Sequence, residues 1–228
     1  METRTLKTLF GDKSSQVWRM MLGDPDRKWT TLDFAKKGVS LGLVSEVLSR
    51  GEAAGYVERI RKGRESYSRL IRKEDLLNDW TRNYTFDRNP HTYYFYPAAD
   101  FLKVLTGYLK GKGVRYALTL YSATRMIAPY VKDDRHFVYL DLGREKFMPF
   151  LKEMEIQTGL LKLVRGGNIC FAMPFYHSSV FEHSRKIKEY PVVSNLQLYL
   201  DLMGFPPTGR EELENLTAHY RKKGESFV

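Results

Sequence analysis

The sequence predicts an α+β protein in two parts, and three observations carry that prediction. Apolar residues recur at three- and four-residue spacing through residues 14–55, then give way to short strand-like runs ending near Arg72. Beyond Asp87-Arg88-Asn89-Pro90, where proline disfavours helix in its predecessor, strand-like and helix-like segments alternate. The 228 residues are 43% hydrophobic and 14% aromatic, enough for one large core or two small ones.

The first part is read in order. Residues 14–22 form a helix with Val17, Trp18 and Met21 on one side, and Asp24-Pro25-Asp26 is a turn. Trp29-Thr30 is a short strand, and residues 31–37 are a second helix capped by Thr30 or Thr31. After the turn Lys36-Lys37-Gly38, Ser40 caps a third helix whose Val44, Val47 and Leu48 face a core. Gly42, Leu43, Ser45, Glu46 and Ser49 face outward, a small polar surface suited to base edges in a major groove. Glu46 is an unusual acid there. Gly51 stands where such helices carry a core leucine, so the helix is expected to shorten or bend at that point. Gly55 stops the helix, residues 56–60 read as a strand, Arg61-Lys62-Gly63-Arg64 as a basic turn, and residues 67–70 as the returning strand. Three helices followed by a cation-tipped hairpin resemble a winged helix-turn-helix, whose tip touches phosphates beside a reading helix.

Residues 74–84 are a connecting helix. The second part follows as strand 92–96, helix 98–110, strand 114–118, helix 120–127, strand 136–140 and helix 145–154. Residues 160–164 and 169–173 read as a hairpin closed by Arg165-Gly166-Gly167-Asn168. Residues 191–193 are a strand, and 195–203 and 209–223 are helices. The expected fold is therefore α+β: a winged helix-turn-helix over 1–75, a connecting helix and linker over 76–90, and an α/β sandwich on a small mixed sheet over 91–228.

The net charge of +10 favours polyanionic partners, nucleic acid first. The excess divides evenly between residues 1–90 and the rest, but its densest cluster is Arg59, Arg61, Lys62, Arg64, Arg69, Arg72 and Lys73 against Glu65 alone. One cysteine, Cys170, lies in an apolar run, so neither an intramolecular disulfide nor a cysteine zinc site can form. The polar start lacks a signal core, and no run approaches the roughly 18 apolar residues of a membrane helix, so a cytoplasmic chain without membrane contact is expected.

Chemistry is nearly silent. The glycine- and lysine-rich stretch 107–113 lacks the phosphate-loop spacing and reads as a helix stop. Asp133, Asp134 and Asp141 flank a strand as nuclease carboxylates do, but no Glu-x-Lys partner follows. His177, Glu182 and His183 match no familiar metal spacing, and no Gly-x-Ser-x-Gly elbow surrounds Ser178-Ser179. No catalytic residue, metal site or cofactor is expected. The expected DNA-contacting set is Lys36, Lys37, Ser40, Gly42, Leu43, Ser45, Glu46, Ser49, Arg61, Lys62 and Arg64. In the second part the expected contact surface is basic: Arg125, Lys132, Arg135, Lys186 and Lys188.

Residues 116–130 (YALTLYSATRMIAPY) and 191–202 (PVVSNLQLYLDL), with the helix–hairpin region before them, resemble the AbiEi-type antitoxins of type IV toxin–antitoxin systems. Gly204-Phe205-Pro206-Pro207 stands where a shorter, arginine-containing link is expected. The resemblance implies a DNA-binding repressor that acts on inverted repeats in its own promoter. It also implies a second domain that counters a nucleotidyltransferase-type toxin without a stable complex. Two other readings stay open: a nuclease or nucleotidyltransferase-like enzyme delivered to DNA, and a small-molecule-responsive regulator whose pocket is lined by Tyr93-Tyr94-Phe95-Tyr96.

Overall fold

The computed structural model describes residues 9–130, 133–164, 166–177, 179–205 and 208–228. The expectations that fall on the first seven residues, Lys132, Arg165, Ser178, Pro206 and Pro207 lie outside the described residues. The chain divides into two compact units, Met1–Thr85 with Val228, and Phe86–Phe227.

In the first unit, α1 (Asp12–Gly23) buries Val17, Trp18 and Met21. Helix α2 (Thr31–Ala35) opens with a capping box: Thr30 N–H donates to Asp33 Oδ2 at 2.8 Å, and Asp33 N–H donates back to Thr30 Oγ1 at 3.3 Å. Helix α3 (Leu41–Ala53) is capped by Ser40, whose Oγ accepts from Leu43 N–H at 3.4 Å. It continues through Gly51 to Ala53. A Cβ there would overlap Trp18 Cη2 and sit 3.2 Å from Cζ2, so the missing side chain is what lets the indole pack against the helix. Gly55, at φ +80°, supplies the left-handed stop. Strands β1 (Val57–Ile60) and β2 (Tyr67–Leu70) pair antiparallel from Val57↔Leu70 to Ile60↔Tyr67, and Trp29 bridges Ser68 as a third strand element. Helix α4 (Lys73–Asn83) buries Leu76 and Trp80, the latter stacked on Phe10 with ring centroids 5.6 Å apart.

The second unit is built on a mixed sheet. Its strands are β3 (His91–Phe95), β4 (Tyr116–Leu118), β5 (His136–Leu140), β6 (Leu161–Leu163), β7 (Ile169–Ala172), β8 (Arg185–Ile187) and β9 (Tyr190–Val192), in the order β6-β3-β7-β5-β4-β9-β8. The pairs β5–β7 and β4–β9 are parallel and the rest antiparallel. Every residue of β7 is buried, as a strand covered on both faces must be. Phe171 turns to one face, against Phe101 of α5 (Phe101–Leu109) and Tyr94, whose hydroxyl donates to Glu155 of α7 (Arg144–Thr158). Phe137 turns to the other face, against Phe205 and against Tyr121 of α6 (Leu120–Ile127), where α8 (Asn195–Met203) and α9 (Gly209–Lys222) also pack. Tyr94 is thus core. Among the described residues no helix is long and apolar enough to cross a membrane.

The expected hairpin of residues 160–164 with 169–173 is corrected: β6 and β7 do not pair with each other, and β3 runs between them, antiparallel to both. The intervening loop crosses the β3 backbone so closely that a Cβ on Gly167 would collide with the Tyr94 carbonyl. What reads as a turn glycine is a close-approach glycine. Strand β8 goes unpredicted because Arg185-Lys186-Ile187 carries no apolar alternation; it forms by pairing with β9.

Candidate nucleic-acid interface

The outward face of α3 is open. Gly42, Ser45, Glu46 and Ser49 are exposed, while Val44, Val47 and Leu48 are buried. Leu43 departs from expectation: it is half-buried, because it lies one helical turn from buried Val47. The exposed leucine of this helix is Leu41, at 52%, a residue outside the expected contact set. Lys36 and Lys37 are exposed on the turn that feeds α3, and Gly38 at φ +84° makes that turn. Glu46 does not confront a ligand as a bare acid, since its carboxylate pairs with Arg50 Nη2 at 2.6 Å.

The hairpin carries its cations in two ways. Arg61 is bidentate to Glu52 of α3, with Nη1–Oε1 at 3.0 Å, and these hydrogen bonds hold the Glu52 carboxyl below the usual carboxylate range. Arg69 is tied to Glu58 at 2.6 Å on the facing strand. Lys62 and Arg64 lie at the tip, exposed, and among the described residues no carboxylate pairs with either. The tip itself is organised by Ser66, whose Oγ accepts from Lys62 N–H at 3.0 Å and donates to the Gly63 carbonyl at 2.8 Å. Arg61 therefore belongs to the joint between helix and hairpin, and Lys62 and Arg64 are the charges that project beyond it.

The second unit uses its suspected groups on one another. Asp133 is bidentate to Arg135; burial works against the charged carboxylate, but the Arg135 bonds outweigh it and leave the pKa lowered. Asp141 pairs with Arg115 at 2.6 Å and has His177 Nε2 at 3.6 Å. Among the described residues no three His, Cys, Asp or Glu side chains converge as a metal site would require. Arg125, expected on the contact surface, is half-buried and donates to the carbonyls of Asp133 and, at 3.1 Å, of Arg135. Arg135 is held by Asp133 over the rings of Tyr121, Phe137 and Phe205. Lys186 and Lys188 remain exposed.

The two stretches 116–130 and 191–202 meet at a buried carboxylate. Asp201, fully buried, accepts from Thr119 Oγ1 at 2.5 Å, Tyr139 OH at 3.0 Å and Gln197 Nε2 at 2.8 Å. Next to Thr119, Leu120 takes φ +44°, a strained value for a leucine, at the turn from β4 into α6. Ser122 Oγ accepts from Phe137 N–H at 2.7 Å and ties that helix to β5. Thr119, Gln197 and Asp201 lie within the two family-like stretches, but no spacing in the sequence announces that they meet; the adjacency of β4, β5 and α8 brings them together.

The second unit is thus a mixed-sheet body whose Asp133, Asp141 and Arg125 are engaged by neighbouring groups, and the first presents a capped helix beside a basic hairpin. The family model that matches, over residues 69–214, is described as transcriptional regulator, AbiEi antitoxin, type IV TA system. The chain belongs to this AbiEi family of antitoxins and transcriptional regulators. No curated protein and no solved structure gave a match. The family match begins at Arg69, so helices α1, α2 and α3 and most of the β1–β2 hairpin precede it, and α4 falls within it.

Proposed function

We propose that the first unit is a winged helix-turn-helix that binds double-stranded DNA at inverted repeats in the promoter of its own gene and represses it. The observation that carries this reading is an exposed, capped, small-residue helix face beside a hairpin whose tip carries Lys62 and Arg64, neither paired with a carboxylate among the described residues. Helix α3 is the recognition helix, with Ser45 and Ser49 toward base edges. Lys36, Lys37, Lys62 and Arg64 sit over phosphates. Arg61, through Glu52, keeps the wing at a fixed angle to that helix.

The second unit, on this proposal, supplies the antitoxin activity toward a nucleotidyltransferase-type toxin by contact or regulation, without covalent chemistry of its own and without a stable complex. The support is that Asp133, Asp141 and Arg125 are engaged with neighbouring protein groups, not arrayed toward a common point.

A separation-of-function experiment on the full chain tests the proposal. Lys62→Ala with Arg64→Ala is expected to release repression of a promoter reporter while cells remain protected from the toxin. Retained repression, or loss of both activities in a variant shown to be folded, counts against this division of labour.

A further inference from the structure

Helix α3 contains two glycines, and the fold accounts for only one of them. Gly51 is required by Trp18. At Gly42 an added Cβ would meet nothing within 4 Å among the described residues, and the backbone there has no positive φ. Glycine in a helix lowers its stability relative to alanine, and no packing contact among the described residues calls for it at Gly42. Beside it Leu41, the first residue of the helix, leaves 52% of its surface exposed, on the same face as Ser45 one turn on. A single exposed leucine is ordinary. An exposed leucine beside an unexplained glycine, in the first turn of a helix bordered by exposed Lys36 and Lys37, is a more specific arrangement. The acid on this face, Glu46, is already paired with Arg50.

The first turn is the part of a recognition helix that comes nearest the base edges. Thymine alone among the four bases presents a methyl group in the major groove, and apolar side chains recognise it by contact. We infer that Leu41 and Gly42 form a thymine-reading seat: the Leu41 side chain packs on a thymine 5-methyl, and the bare Cα of Gly42 lets the helix end approach the duplex closely. This rests on the reading of α3 as a recognition helix. It adds a base preference and a residue, Leu41, to that reading.

The test uses the full-length chain and a duplex that it selects from a randomised pool, together with the same duplex carrying deoxyuridine for thymine at one position at a time. At one position in each half-site the missing methyl is expected to weaken binding about fourfold, the worth of one buried methyl group. Leu41→Ala is expected to weaken binding by a similar factor, with no further weakening when the two changes are combined. Gly42→Ala is expected to raise the melting temperature while weakening binding. That pairing of opposite effects is one a purely structural glycine would not give. The inference is overturned if no deoxyuridine substitution matters, if the Leu41 and methyl effects multiply, or if Gly42→Ala binds as tightly as the unaltered chain. A chain that selects no sequence from the pool overturns the recognition-helix reading as well.

Discussion

Gly51 of α3 and Trp18 of α1 occupy one space: the indole edge lies where a Gly51 side chain would be. The two helices therefore approach as closely as they do only because position 51 has no Cβ. Trp18 is fully buried, and its Nε1–H donates to the Leu9 carbonyl at 3.0 Å, so the ring cannot turn aside without giving up that bond.

Gly51→Ala is accordingly expected to destabilise the first unit. Alanine recovers about 1 kcal/mol of helix propensity, but forcing a methyl into a filled core costs about 1–3 kcal/mol, and the rigid indole puts this site toward the upper end. Thermal unfolding should show a lower melting temperature. In a Trp18→Phe background, where the smaller ring leaves room, the same change should cost clearly less. Equal costs in both backgrounds would mean that the glycine serves something other than Trp18.

If the proposed function holds, the hairpin cations should not be equivalent in DNA binding. Removing one cation from a phosphate lowers the slope of log affinity against log salt by about 0.9. Lys62→Ala and Arg64→Ala should each approach that value. Arg61→Ala should change the slope less, because the Arg61 charge is already paired with the Glu52 carboxylate. Titrations at several salt concentrations decide this, and a larger slope change for Arg61 than for Lys62 would reverse the assignment.

Asp201→Ala should be among the most damaging substitutions in the second unit. It removes the acceptor of three buried donors, and each donor left unsatisfied costs about 1–3 kcal/mol. Asp201→Asn keeps one acceptor oxygen and should cost less. Denaturant unfolding measures both; near-neutral effects would show that water or repacking satisfies Thr119, Tyr139 and Gln197.

Stability should also fall in mild acid through His136. Burial, aided by the Arg125 guanidinium 3.2 Å from Nδ1, pushes its pKa down to about 4 from 6.5, with Asp134 opposing weakly. Between those values the unfolded ring is protonated and the folded one is not, so the unfolded state binds more protons. The contribution is complete above pH 6.5 and is lost as pH falls toward 4, by up to about 3 kcal/mol. Melting temperatures at pH 7, 6 and 5 should decline, and His136→Gln should flatten that decline. An unchanged slope in the variant would place the acid sensitivity elsewhere.

Much of the architecture is legible in the sequence because local signals agree. The helix Leu120–Ile127 and the strand His136–Leu140 appear where their apolar spacing puts them. Ser40 and Thr30 cap the helices that they precede. What escapes is set by partners distant in sequence. Glycine after a strand looks like a turn, and only the passage of β3 reveals Gly167 as a crossing point. Arg61 looks like a free tip charge until Glu52, nine residues earlier on another element, takes it. The half-burial of Leu43 follows from the core face itself, since it lies one turn before buried Val47; Leu41, in the first turn, has no preceding turn of helix to cover it. The Asp201 network joins residues up to 82 apart in the chain, and no spacing rule reaches so far.

The most direct test of the account is a mobility-shift titration of the full chain on the duplex upstream of its own coding sequence, alongside a scrambled duplex of equal length. A discrete complex is expected on the upstream duplex at protein concentrations at least about a hundredfold lower than on the scrambled one. Lys62→Ala with Arg64→Ala should weaken binding to both, and Ser45→Ala should weaken binding chiefly to the upstream duplex. Equal affinity for both duplexes, or full affinity retained when both tip cations are removed, would contradict the claim that α3 and the β1–β2 hairpin form a sequence-reading surface.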